Sequence, residues 1–268
     1  MDCSIEELIT VDLSETFKDG ELGFTGLATG GLAATYISGI PLAAMELAKK
    51  THAPNLTTLL SGWIFNPDLN NLEGLPDSEY DNYMMDIPCE AYMVEYPGSW
   101  SHKAGDISFG FGSGAQVDQR GNINSSHIGN QSAPKAQLVG PIFLPEHMAH
   151  FGREYIMMPK HETKNFVKKV DYISGVGFRE NKKYRQENGL TGTGPTKVYT
   201  PKCIFAFKES GNIYVKSIHP GILKEDIVDN TGFDVGSLED VPTTKFPTQK
   251  QLKILREDVD PKNILLKI

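Results

Sequence analysis

One run of chemistry-bearing side chains is Gly114-Ala115-Gln116-Val117-Asp118-Gln119-Arg120-Gly121-Asn122-Ile123-Asn124. A strand here delivers Gln116 and Asp118 to a tight turn at Gly121, and Asn122 and Asn124 then bridge backbone groups across it. Other spacings fail the chemistry they suggest. Gly110-Phe111-Gly112-Ser113-Gly114 reproduces only the first half of a dinucleotide fingerprint, and no helix start follows. Gly26-Leu27-Ala28-Thr29-Gly30-Gly31 lacks the Lys-Ser/Thr of a phosphate-binding loop. No serine sits in a Gly-x-Ser-x-Gly elbow, and His161-Glu162 has no second histidine four residues on. Glu146, His147 and His150 share a helical face but lack a further ligand elsewhere, so no metal site is assigned. Cys3, Cys89 and Cys203 are isolated and odd in number, which suits reduced thiols in a cytoplasmic protein.

The elements that carry these residues alternate between strands and helices. A weak helix spans Ile5 to Phe17, and Glu21 to Gly31 reads as a strand followed by a loop. A helix starts near Pro41 with Ser38 as its cap, and Pro54 stops it. Asn55 to Gly62 is a short buried strand, and Asn66 to Asp81 is an acidic loop broken by Pro67 and Pro76. Ile107 to Phe111 and Tyr155 to Met158 are strands, with a helix from His161 to Val170 after the second. Val198 to Phe207 and Ile213 to Ile218 form a strand pair. Thr248 and Gln251 have capping-box spacing before a helix bearing Leu252, Leu255 and Val259. This order predicts an α/β fold, an open and mostly parallel sheet with helices on both faces, as one domain over residues 1–268.

Charge narrows the partners. With 26 Lys+Arg against 34 Asp+Glu, the 268-residue chain carries a net charge of −8. It lacks the basic footprint of a general nucleic-acid binder. No uninterrupted apolar run approaches the roughly 20 residues that span a bilayer, so no membrane partner is expected. The acidic N-terminus is unlike a secretory signal, and the expected compartment is the cytoplasm.

The Gly114–Asn124 run resembles the G-A-Q-[IV]-D-x-x-G-N-x-N motif of the second (β) subunit of class I coenzyme A transferases, of the glutaconate type, a fold of the NagB/RpiA-like kind. Gly39-Ile40-Pro41-Leu42, Ala53-Pro54-Asn55, Ile128-Gly129 and Met157-Met158-Pro159 followed by Phe166 to Tyr172 are similar to further family segments in the same order. The resemblance implies an enzyme subunit with no permanently bound cofactor, a coenzyme A thioester as substrate, and an α subunit as partner in an α2β2 assembly. It also implies a nucleophilic glutamate within E-[SA]-G at a strand end.

That position is occupied by Leu60 or by Ser61, depending on the anchor, and neither is acidic. Asp68 and Glu73 lie nearby in sequence, in the acidic loop. The family's Gly-rich oxyanion loop is replaced by Gly140-Pro141-Ile142-Phe143-Leu144-Pro145, whose two prolines have no N–H to donate. Such departures resemble family members that do not transfer CoA. One is the hydrolase that opens the last steroid ring, to whose β chain Val170 to Phe178 and Ser217 to Gly221 are similar, and whose working glutamate comes from the α subunit. Another is a decarboxylase with cysteine at the nucleophile position, and no cysteine stands near Leu60. The resemblance therefore implies a hydrolase or lyase acting on acyl-CoA. The alternatives are a true CoA transferase and a catalytically silent subunit. Ser61, Gln116, Asn122 and Asn124 are the candidate substrate-binding residues.

Overall fold

The computed structural model describes residues 3–28, 30–93, 105–179, 181 and 183–267. Two compact units emerge, Met1–Phe111 with Lys245–Ile268, and Gly112–Thr244.

In the first unit, helix Ile5–Ser14 begins in a reciprocal Ser4–Glu7 capping box. Strands β1 (Leu22–Thr25), β2 (Thr57–Leu60), β3 (Ile64–Pro67), β4 (Cys89–Tyr92) and β5 (Phe109–Gly112) lie in the order β5-β1-β2-β3-β4. β1 is parallel to both β2 and β5, while β3 and β4 add on antiparallel. β1 must carry glycine at Gly23, where a Cβ would lie 2.3 Å from the Phe109 ring and 2.7 Å from Met45 Sδ.

The helix expected to begin near Pro41 begins well before it. Gly31–Thr51 is one helical span, interrupted by a wide π turn at Thr35–Gly39. Ser38 is therefore not a cap. The π turn answers Pro41, which has no N–H to return to the carbonyl of Ile37. That carbonyl accepts the Thr25 hydroxyl instead, at 3.1 Å. The span is long and apolar enough by composition to cross a membrane, which reading it as starting at Pro41 concealed, and 72% of its most apolar window is buried inside the protein.

The expected acidic loop is partly strand. Asn66 and Pro67 belong to β3, where Pro67, as the last residue, needs no further ladder N–H. Beyond it come 3-10 turns at Leu69–Asn71 and Asn82–Met85, capped by Asp68 and Asp81. Leu72, Met84 and Ile87 anchor this excursion, each no more than 1% exposed. The C-terminal helix Gln249–Ile254 has the capping box read from Thr248 and Gln251, with both hydrogen bonds formed.

In the second unit, β6 (Gln116–Asp118), β7 (Ile123–Asn124), β8 (His127–Asn130), β9 (Ala133–Gln137), β10 (Arg153–Met157), β11 (Phe166–Val167), β12 (Pro195–Tyr199), β13 (Cys203–Phe207) and β14 (Ile213–Ile218) follow in chain order. β10 pairs parallel with β12, and β13 and β14 continue antiparallel. The strand expected over Val198 to Phe207 is broken in two, because Thr200 Oγ1 accepts the N–H groups of Lys202 and Cys203 and closes a turn. The helix expected from His161 to Val170 does not form. Phe166 and Val167 are β11, paired parallel with Val117 and Asp118 of β6. Phe166 is fully buried with its ring 4.2 Å from His161. The α/β class holds, with parallel pairing at the heart of each unit and antiparallel strands appended.

Candidate active site

Ligands of open α/β sheets meet the carboxyl ends of parallel strands. At that edge of the first unit, Leu60 pairs with Thr25, and the N–H of Ser61 donates to the Thr25 carbonyl at 2.8 Å. Leu60 is 1% exposed and packs into the core. Ser61 turns the chain sharply with φ of +53°, an uncommon conformation for a residue with a Cβ, and Gly62 follows at +84°. The Ser61 hydroxyl is buried and has no hydrogen-bond partner among the described residues. The positive φ at a parallel-strand end makes Ser61 a candidate site position.

The loop after β1 is pinned beside this turn. Ser38 Oγ donates to the Gly26 carbonyl and accepts the Ala28 N–H, at 3.2 and 3.1 Å. Glu79, carried in by the excursion, accepts the Leu27 N–H on Oε1 at 3.2 Å. The same oxygen lies 3.8 Å from where a Cβ on Gly26 would stand. Sequence reasoning missed Glu79, whose flanking residues form an irregular polar stretch with no periodicity. Asp68, considered from the sequence, caps the first 3-10 turn by accepting the N–H of Asn70. Glu73 lies in the same excursion, and its N–H donates to the Tyr83 hydroxyl at 2.8 Å.

Gln116, Asn122 and Asn124 lie in the second unit in two buried clusters, Asn122 with Asp118 and Asn124 with Gln116. Asn122 Nδ2 donates to both oxygens of Asp118, at 3.1 and 3.0 Å, and its Oδ1 accepts the Gly177 N–H at 2.9 Å. Asn124 Nδ2 donates to Gln116 Oε1 at 2.8 Å and to the His127 carbonyl at 2.7 Å, while its Oδ1 accepts the Ser126 N–H. Gln116 Nε2 donates to Asp171 Oδ2 at 3.2 Å. Gly121, with φ of +72°, closes the turn where a Cβ would meet Pro195 at 2.7 Å. Burial lifts the Asp118 carboxyl above the ordinary carboxylate range, although the Asn122 side chain and the Arg120 and Asn122 N–H groups pull the other way. Beside this turn a cleft of about 670 Å³ is lined by Arg120, Lys168, Lys169 and Arg179, together with Asp118 and Asn122.

The Gly140–Pro145 segment is a turn leading into a helix. Gly140 and Ile142 have positive φ, and the Leu144 N–H donates to the Pro141 carbonyl at 2.8 Å. His147 follows on helix Leu144–His150, its Nδ1 2.9 Å from Glu154 Oε1, while His150 Nδ1 meets Thr191 Oγ1 at 3.1 Å. Among the described residues no group of three His, Cys, Asp or Glu side chains is placed to hold a metal ion.

The fold is an α/β domain with a sharp turn at a parallel-strand end, and comparison with known proteins specifies its family. A family model described as coenzyme A transferase matches residues 101–230. The β chain of the 3-oxoadipate CoA-transferase of Pseudomonas knackmussii is 30% identical over 254 residues, covering 94% of this chain and 92% of the relative. The IpdB chain of the cholesterol ring-cleaving hydrolase of Rhodococcus jostii is 30% identical over 154 residues, covering 56% and 58%. The crystal structure of glutaconate coenzyme A-transferase from Acidaminococcus fermentans superposes with a TM-score of 0.78 at 25% identity, covering 100% and 98%. The chain belongs to the coenzyme A transferase family.

Proposed function

We propose that this chain is the β subunit of an α2β2 enzyme that cleaves an acyl-CoA thioester hydrolytically, at a carbon–carbon bond or at the thioester, and does not pass CoA to a second acid. The end of β2 carries this reading. A transferase needs a nucleophilic carboxylate there. Leu60 offers only a buried alkyl group, and among the described residues the Ser61 hydroxyl has no base bonded to it. The ring-cleaving hydrolase chain of Rhodococcus jostii, related over more than half of this chain, supports the same class of reaction. The carboxylate that drives the chemistry comes from the α partner on this reading.

Ser61 is this chain's candidate donor toward the acyl carbonyl, supported by its place at the strand end and by a hydroxyl with no partner among the described residues. In the second unit, taken by itself, Gln116, Asn122 and Asn124 are the candidate substrate-binding residues, on a rigid turn that orients bound groups at little entropic cost. The four cations of the adjoining cleft suit the phosphates of the CoA tail.

A second reading, a true CoA transferase, is favoured by the full-length match to a 3-oxoadipate CoA-transferase chain. Co-expression with the α subunit, exposure to acyl-CoA and treatment with borohydride separates the two. A transferase forms a glutamyl-CoA thioester that borohydride reduces, with loss of activity. Activity that survives borohydride, with release of thiol or of a split carbon skeleton, supports the hydrolytic reading.

A further inference from the structure

The carboxylate that β2 lacks has a counterpart one strand away. We propose that Glu79 is a catalytic residue of this chain, taking the proton of the water that attacks the acyl-CoA substrate. The assignment rests on the hydrolytic reading and goes beyond it, since it places a proton-transfer group on this chain as well as on the partner.

Three observations converge. The first is place. Glu79 Oε1 is bonded to Leu27 N and stands over Gly26, the residue that follows β1. Thr25, at the end of β1, is the residue whose carbonyl receives the Ser61 N–H. The loop that Glu79 contacts and the turn at Ser61 therefore follow two adjacent, paired strands.

The second is availability. Among the described residues Oε1 accepts one hydrogen bond and Oε2 accepts none, and no cation pairs with the group. A carboxylate held by one oxygen with the other open has the disposition of a general base.

The third is rigidity. The turn that carries Glu79 is fixed from both sides. Asp81 accepts the N–H groups of Asp77 and Tyr83 at 3.1 and 3.0 Å, and its own N–H donates to the Ser78 carbonyl at 3.1 Å. Ser78 Oγ accepts the Tyr80 N–H at 3.2 Å. Leu72, Met84 and Ile87 bury the flanks. A base that must meet a water at one point needs a fixed support of this kind.

The step balances within water and the thioester. The water oxygen bonds to the carbonyl carbon as one of its protons passes to Glu79 Oε2. The carbonyl π pair moves onto its oxygen, toward which the Ser61 hydroxyl donates. When that pair returns, the bond to the departing group breaks. The departing atom takes the proton from Glu79, whose carboxylate is restored.

The Glu79→Gln variant of the purified heteromer tests this, because an amide keeps an oxygen for the Leu27 N–H and loses only the basicity. The expected result is a kcat lower by about 10²- to 10⁴-fold, the range for loss of a general base. KM should stay within about threefold and the unfolding temperature should not move. In Glu79→Ala, formate should restore at least about tenfold of the lost rate by supplying the missing base. A Glu79→Gln heteromer with wild-type kcat overturns the assignment and leaves Glu79 as the anchor of the Leu27 loop. A wild-type heteromer that hydrolyses no acyl-CoA thioester instead overturns the functional reading.

Discussion

Replacing Ser61 by alanine should make the protein more stable and the enzyme slower. The hydroxyl is buried with no partner among the described residues, so the folded chain bears its desolvation without a compensating hydrogen bond from them. Removing such a group recovers about 1 kcal/mol. Alanine and serine tolerate the left-handed φ of +53° about equally, so backbone strain cancels in the comparison. For a chain of this size that gain corresponds to a rise of about 2–4 °C in unfolding temperature. The activity should move the other way. A donor aimed at a developing oxyanion contributes about 10²-fold in kcat, or about 2.7 kcal/mol. The Ser61→Gly control relieves the positive φ as well and should add about 1 kcal/mol more stability with the same loss of rate. Thermal unfolding by circular dichroism and steady-state turnover of the heteromer on the same preparations give both numbers. A Ser61→Ala protein that is less stable and equally active refutes the reasoning, because the hydroxyl would then be a structural group.

Three other perturbations have signs fixed by the structure. Arg185, 2% exposed, donates to the carbonyls of Gly192, Val176, Gly177, Met148 and Ala149, and burial pulls its pKa down to about 10. Arg185→Met should cost about 4 kcal/mol, seen as a fall of roughly 8–16 °C in unfolding temperature, since it strands several buried carbonyls together. His161 is held down to about 3 by burial and by nearby Lys202 and His219, with Thr200 and Thr231 on its two ring nitrogens. The unfolded chain takes up a proton below about pH 6.5 that the folded chain refuses, so this group's contribution is constant above that pH and erodes as pH falls toward 3. Between pH 7 and 5 the loss should be about 2 kcal/mol, and a His161→Gln variant should show that much less pH dependence in its unfolding free energy. Lys168→Ala with Lys169→Ala should raise KM for the CoA thioester about tenfold at low salt, and the difference should shrink as salt screens the cleft.

Local chemistry made some of this architecture legible in the sequence, and tertiary pairing hid the rest. Thr248 and Gln251 announced a helix start because both halves of a capping box lie within four residues. The turn at Gly121 was readable for the same reason, since Asp118 and Asn122 bond to each other across a short loop. The stretch from His161 to Val170 misled because its apolar spacing fits a helix, whereas Phe166 is claimed by Val117, far away in sequence. Ser38 carried the residue type of a cap, yet the wide turn that accommodates Pro41 keeps the chain helical through it. Of the candidate site, Ser61 is legible in the sequence through its strand-end position. Glu79 gave no local signal, because what distinguishes it is the Leu27 N–H it meets, 52 residues away in sequence.

Cleavage of an acyl-CoA thioester without a second acid to receive the CoA is the property on which the proposed function stands. Its most direct test is turnover of the purified heteromer on acyl-CoA with and without a free carboxylic acid, following released thiol and acyl products by mass spectrometry. Turnover should proceed in the absence of an acceptor acid, with oxygen from labelled water in the product. Turnover that requires the acceptor and ends with CoA on it would show instead that the enzyme is a transferase.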